Sequence, residues 1–399
     1  MRTALKRPVA LAAIVVALVT AAPADILAAE KDDTFRVIYF GNSFLGNSVP
    51  WFHPTLARSA GHTMHVQAYI GPGWQIWMHV NTFYTQPERA RKSLVEDDWD
   101  AVVIHHFGSH PMLKDNVRQR VFHTQKPFPE PRDVSDVASA SAIIDLFLSK
   151  HPDHGRAFVY GSWPGIPGAA EFRKRVREET RKSLEAEGLS RDEVLKKVKE
   201  RKPTLAELTP LLKKFDYAAE WRGKYEPNRE VPWQSKHTHS RDYSWRLIAE
   251  LKKKYPKLAK AGRLALIPNG DVFLALDRKM RAGKVPGVTN IGFFSRDGGH
   301  VRAGLPRYTL AATCFAVMFR ENPKVLDWSI YNDRKNYSNE NIKKLGMGGY
   351  VHQPDLGELL EITPERARVV NETVWEVITA HRHTAVRKAA AGHGREQGN

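Results

Sequence analysis

The chain has 399 residues, of which 42% are hydrophobic, enough for a sizeable core in two or three domains or one large decorated domain. A formal net charge of +17 suits acidic polysaccharide, lipid headgroups or nucleic acid. No zinc finger, RRM-like signature or glycine-rich phosphate loop accompanies it, so no nucleic-acid partner is expected. The single cysteine, Cys314, excludes an intramolecular disulfide and reads as a packing residue inside an apolar helical pattern.

Residues 1–29 predict a secretory signal peptide, to be left out of the fold. Arg2, Lys6 and Arg7 form a charged start, Val9 to Val19 an apolar run, and Ala22-Pro-Ala24 or Ala28-Ala29 a cleavage site. No other stretch approaches about eighteen apolar residues, so no integral membrane segment is expected in the mature chain, and the protein reads as exported, periplasmic or extracellular.

Phe35-Arg-Val-Ile-Tyr-Phe40 is a run of aromatic and β-branched residues stopped by Gly41, the pattern of a first strand buried in an α/β sheet. Gly41-Asn42-Ser43 follows, and residues 49–60 read as a helix, which puts Ser43 on a strand-to-helix turn. A second Gly-Asn-Ser ends at Ser48, which reads as an N-cap. Residues 64–70 predict a second strand, running into the turn Gly71-Pro-Gly73-Trp74. A helix over 87–97 precedes a third strand over 101–106, then Phe107-Gly-Ser-His110 and a looser stretch with Pro127, Pro129 and Pro131. Residues 135–150 read as a helix and 157–161 as a fourth strand. This alternation implies a parallel sheet with helices on both faces.

The rhythm breaks from about 165 to 235, where charged helical segments over 171–188, 190–202 and 204–214 have low apolar content. They read as a basic insertion over the carboxyl edge of the sheet. Alternation resumes with a helix over 241–255, a fifth strand over 264–267 and a helix over 271–282. The loop Asp297-Gly-Gly-His300 leads into a helix over 304–319. After an irregular stretch, Thr363-Pro-Glu-Arg starts a final helix. One α/β domain is thus expected over 30–384, with a disordered tail over 385–399.

A serine hydroxyl needs a base to become a nucleophile, and the base needs an orienting carboxylate. Asp297 and His300 supply both in one short loop, and its two glycines allow it to fold tightly. At the carboxyl edge of the sheet, Ser43 would stand where open α/β folds place their ligands. The histidine pairs His105-His106, His237-Thr-His239 and His381-Arg-His383 lack zincin spacing, and no metal site is expected. As neighbours on a strand, His105 and His106 point to opposite faces.

Gly41-Asn42-Ser43 after the first strand and Asp297-Gly298-Gly299-His300 before the last core helix resemble the SGNH (GDSL-like) serine hydrolases. Gly304-x-x-x-Tyr308 and the approach through Leu266-Ile-Pro-Asn-Gly270 also match. The resemblance covers roughly residues 35–110 and 240–320 and omits the basic insertion. It implies a three-layer α/β/α sandwich with a parallel, flavodoxin-like five-stranded sheet. It further implies Ser43 as nucleophile, His300 as general base and acid, and Asp297 as its orienter, with no cofactor. The family's oxyanion hole uses the serine N–H, a glycine after the second strand and an asparagine after the third. Gly71 fits the glycine, with Gly73 as the alternative. The asparagine is replaced here by Gly108-Ser109-His110, so His110 or Ser109 would have to donate.

Asn42, Trp74 and His106 are the expected substrate contacts, and Trp74, Trp77, Trp163, Trp233 and Trp245 are candidates for sugar stacking. The function expected is an exported esterase hydrolysing an acyl, most simply acetyl, ester on a small molecule or carbohydrate. Acidic polysaccharide is a candidate partner for the insertion. The competing reading is a noncatalytic glycan- or envelope-binding protein on a hydrolase scaffold.

Overall fold

The computed structural model describes residues 33–386, apart from 89, 107–134, 202, 229–234 and 339–357. The expected signal peptide, Gly108-Ser109-His110, the prolines at 127–131, Trp233 and nearly all of the expected tail lie outside the described residues.

The elements follow in chain order. Strand β1 (Phe35–Gly41) leads to α1 (Ser43–Gly46), a 3-10 turn (Pro50–Phe52) and α2 (His53–Ser59). Then come β2 (Met64–Ile70), α3 (Ile76–Thr85), α4 (Ala90–Glu96), β3 (Ala101–His105), α5 (Asp136–Leu148) and β4 (Arg156–Tyr160). Helices α6 (Ala169–Ala186), α7 (Arg191–Glu200), α8 (Leu205–Lys214) and α9 (Tyr217–Arg222) follow. The chain continues with α10 (Arg241–Lys254), α11 (Pro256–Lys260), β5 (Leu264–Ile267), α12 (Asn269–Arg281), α13 (Leu305–Phe319) and α14 (Pro364–Ala380).

The five strands form one all-parallel sheet in the order β2-β1-β3-β4-β5, so the expected three-layer sandwich with flavodoxin-like strand order is what the chain adopts. Successive side chains of a strand face opposite sides. Val37 and Tyr39 of β1 therefore enter one core layer with α2, α12, α13 and α14, while Ile38 and Phe40 enter the other with α3, α4, α5 and α10. A central parallel strand is buried on both faces, which is why β1 from Val37 to Phe40 and β3 from Ala101 to Ile104 read as unbroken apolar runs. The edge strand β2 alternates, with Val66 and Ala68 buried and His65 exposed. Among the described residues no helix is long and apolar enough to cross a membrane.

The start of the chain after β1 differs from the sequence reading. The segment 49–60 is not one helix: Val49 has φ of 55°, a left-handed conformation that a β-branched residue rarely adopts, and it breaks the chain into α1, the 3-10 turn and α2. Ser48 does not cap a helix; its hydroxyl donates to the Leu45 carbonyl at 2.9 Å and is buried.

The basic segment also divides. In α6 and α7 only Ala169, Val176 and Val194 are buried. In α8 and α9 Leu208, Leu212, Tyr217 and Trp221 are members of the main core. The Trp221 indole N–H donates to Asp271 at 3.1 Å, and the Tyr217 hydroxyl donates to the Gly270 carbonyl at 3.0 Å. These anchors tie α9 to the start of α12, so this half of the segment is built into the sheet layer. At the far end, the His383 carbonyl accepts from the Leu266 N–H at 2.8 Å, and Val386, expected in a disordered tail, is buried.

Candidate active site

Strand order reverses between β1 and β3, and the carboxyl ends of both strands open into the crevice that this creates. Ser43 is the first residue of α1 at that switch point. Asn42 caps the helix: its side-chain oxygen accepts from the Phe44 N–H at 2.9 Å, and its amide donates to the Trp74 carbonyl at 3.0 Å. With the residue fully buried and both ends of its amide engaged, Asn42 holds the β1 turn to the β2 turn rather than contacting substrate as expected.

The 297–300 loop sits opposite. Gly298 has φ of 96°, and a Cβ there would lie 2.3 Å from that of Ala169, so the tight approach to α6 requires glycine. The Ile166 N–H donates to the Gly298 carbonyl at 2.5 Å, and the Trp163 indole donates to the Gly299 carbonyl at 2.9 Å. These contacts leave the loop little freedom. His300 Nε2 lies 2.8 Å from Ser43 Oγ, and its Nδ1 lies 3.0 Å from Asp297 Oδ2. A carboxylate only accepts, so Nδ1 carries the proton and the Nε2 lone pair faces the serine hydroxyl. Ser43, Asp297 and His300, 257 residues apart at the extremes, are thus brought into one hydrogen-bonded chain.

Asp297 is held from several sides. Its carboxylate accepts from the backbone N–H groups of Gly299 at 3.1 Å and His300 at 2.9 Å, and from the Arg296 guanidinium at 2.6 Å. Burial alone would raise its pKa. The His300 imidazole and the Arg296 guanidinium outweigh that and keep it well below the usual carboxylate range. Arg173 of α6 stands 3.7 Å from the same oxygen.

Phe44 fills the space behind the serine, with ring contacts to His300 at 5.2 Å, Trp163 at 4.9 Å and His239 at 5.2 Å. His239 Nδ1 lies 2.8 Å from Ser162 Oγ, and burial lowers its pKa to about 4. Phe44, Arg296 and Arg173 escape sequence reading, since no motif marks them, and His239 drew notice only as half of a histidine pair weighed for metal binding. Only Trp163 was singled out, as a sugar platform, and at 3% exposure it is a packing residue that positions the loop.

The donors for a developing negative charge differ from expectation. The Gly71 N–H donates to the Gly41 carbonyl at 3.0 Å as a continuation of the β1–β2 ladder, so it is already engaged. Gly73, with φ of 70°, occupies the position of a turn that needs a left-handed residue. Among the described residues the N–H groups of Gly73 and Ser43 have no acceptor. His110 lies outside the described residues.

His106 does not reach the surface. It is fully buried, its ring lies 4.9 Å from Tyr243, and Nε2 lies 3.3 Å from Ser244 Oγ, which removes it as a substrate contact. His105 packs beside Phe44 and Tyr160 in the other layer, yet the two imidazoles approach to 5.6 Å because the strand ends between them. Trp77 is buried as well, and Trp245 lies between Arg241 and Arg382 away from the serine. Trp74 alone of the described candidates borders an open groove beside the site, of about 730 Å³, with Tyr69, Gln67 and Gln86. Among the described residues Asp98, His151 and His154 bring ligand-type atoms within 4.8 Å of one another, at the amino ends of β3 and β4, the edge opposite Ser43.

No family model and no curated protein matches the chain in sequence. A solved DUF4886 family protein from Bacteroides uniformis overlaps with a TM-score of 0.43 at 11% identity, covering 87% of this chain and 95% of its own. An SGNH hydrolase candidate from Slackia heliotrinireducens overlaps with a TM-score of 0.33 at 16% identity, covering 71% of this chain and 99% of its own. At this overlap the likeness is a general one, and the site rests on the chain's own geometry.

Proposed function

We propose that the protein is a serine esterase of SGNH type. Ser43 attacks the acyl carbonyl while His300 Nε2 takes the hydroxyl proton, and Asp297 steadies the imidazolium that forms. The tetrahedral oxyanion receives the Ser43 and Gly73 N–H groups. His300 then returns the proton to the leaving alkoxide, and water repeats the sequence on the acyl-enzyme. The observation that carries this reading is the continuous hydrogen-bonded path from Ser43 Oγ through His300 to Asp297, at 2.8 and 3.0 Å.

The finer assignment is an acetyl ester on a carbohydrate, with sugar rings against Trp74 in its groove. Export after removal of residues 1–29 completes the proposal. The engaged Gly71 N–H favours the second reading, a noncatalytic glycan-binding protein, because each missing donor weakens oxyanion stabilisation by about 3 kcal/mol. Hydrolysis of a chromogenic acetyl ester by the wild type and its loss in Ser43→Ala test the choice. Equal rates in the two proteins would end the serine-hydrolase reading.

A further inference from the structure

Helix α6 carries four cations in five residues, Arg173-Lys-Arg-Val-Arg177, with Arg181 one turn further on. Arg173, Arg177 and Arg181 fall at i, i+4 and i+8, a row spaced about 6 Å apart on one face. Like charges at that spacing repel and destabilise a helix. Local pairing accounts for Arg181 but not for Arg173 and Arg177, and such departures collect where function demands them.

The row lines a groove of about 480 Å³ between α6 and α7, together with Lys174, Glu178, Ala170 and Val198. Arg181 is neutralised by Glu178 and Glu185. Among the described residues Arg177 reaches only the Arg201 carbonyl, at 3.5 Å, and Lys174 has no carboxylate within ion-pair distance. Among the described residues neither Lys174 nor Arg177 closes an ion pair, although Lys174 acts at a distance on Glu178, which also lines the groove, and the neighbouring Arg173 stands 3.7 Å from Asp297. The groove is fixed relative to the reacting residues, because the start of α6 is locked to the 297–300 loop through Ile166 and Ala169.

We infer that the α6–α7 groove recognises the anionic groups of the substrate, which is an ester-bearing acidic polysaccharide. Guanidinium forks suit carboxylates and sulfates, and the row runs outward from Asp297 as an extended polyanion would. The identity of the polymer as substrate rests on the proposed esterase activity. Its binding to the groove does not.

The test separates the two. Binding to polygalacturonate, neutral dextran and a single-stranded oligonucleotide is measured on the Ser43→Ala protein at fixed salt, with and without Lys174→Ala/Arg177→Ala. Expected are binding of polygalacturonate, none of dextran, and at least about tenfold weaker polygalacturonate binding in the variant, with unchanged melting temperature. A Lys174→Glu/Arg177→Glu variant should weaken it further. Binding that ignores both variants, or tighter binding of the oligonucleotide, overturns the inference. With serine intact, Lys174→Ala/Arg177→Ala should raise KM for acetylated polygalacturonate and leave kcat and the rate on a small acetyl ester unchanged. Groove-dependent binding without hydrolysis of any acetyl ester would remove the esterase and keep the groove as a polyanion site. Hydrolysis of the small ester without polyanion binding would remove the groove alone.

Discussion

Two regions of the molecule use the same chemistry to different ends. Asp297 and His300 face each other at 3.0 Å with Arg296 on the carboxylate. Asp271 and His381 face each other at 3.3 Å with Arg241 on the carboxylate. In the first pair the far imidazole nitrogen looks at a serine hydroxyl, and Asp297 and His300 keep 19% and 25% exposure. In the second the far nitrogen accepts from the chain's own His383 N–H, and exposure falls to 5% and 6%. The second pair stitches the C-terminal segment to α12. An acid–imidazole pair is therefore no sign of chemistry by itself; what the second imidazole nitrogen meets, and whether solvent reaches it, separates a site from a brace.

The largest expected effect breaks the first pair. Ser43→Ala should lower kcat on an acetyl ester by three orders of magnitude or more with near-normal melting temperature, and Asp297→Asn should lower kcat by on the order of 10⁴ through loss of the productive tautomer, with some loss of stability because Arg296 is left facing a neutral amide. The mirror experiment is Asp271→Asn, which leaves Arg241 and His381 facing a neutral amide in a buried site. It should cost about 3 kcal/mol of stability and leave turnover per folded molecule unchanged. Denaturant midpoints and kinetics on the same samples check both. If Asp271→Asn reduced turnover in fully folded protein, the distinction between site and brace would fail.

Acid sharpens the comparison at a smaller scale. Burial lowers His53 and His79 from 6.5 to about 4, and His106 to about 3. The folded state resists protons that the unfolded chain takes up, so this stability is complete above pH 6.5 and is lost as pH falls from 6.5 toward 4. Each group contributes on the order of 3 kcal/mol to that loss. Asp297, held low, adds stability above its ordinary carboxylate range and loses it only at still lower pH. Melting temperature should therefore drop steeply between pH 6.5 and 4, and His79→Gln should make the slope shallower. A flat profile over that interval would mean that the imidazoles are hydrated. The smallest effect is expected for Trp163→Phe, which removes the bond to the Gly299 carbonyl. It should cost about 1 kcal/mol and lower kcat more than stability, since the loop it pins carries His300.

Much of the architecture was legible. Strands β2 and β5 match their predicted bounds and the others shift by a residue or so, because buried parallel strands are apolar runs that glycine ends. Ser43, Asp297 and His300 could be singled out because their motifs are short, local and bounded by elements of opposite type. Asn42, Gly71 and His106 could not be judged that way. Whether a polar group is free depends on what another part of the chain gives it, and here the β2 turn, the Gly41 carbonyl and Ser244 take all three. The basic segment misled for a similar reason. Averaged over its length it is polar, yet Leu208, Leu212, Tyr217 and Trp221 anchor half of it in the core.

The sequence by itself determined the alternation of strands and helices, the parallel sheet, and the order serine, aspartate, histidine along the chain. These follow from periodicity and short spacings, which are properties of neighbouring residues. Tertiary structure alone decided that His300 meets Ser43 across 257 residues, that His381 meets Asp271 on one side and the His383 N–H on the other, and that four cations of α6 begin at the Asp297 carboxylate. Those outcomes depend on which groups the packing of distant elements leaves unpaired, and burial makes the difference between a paired and an unpaired polar group worth kilocalories.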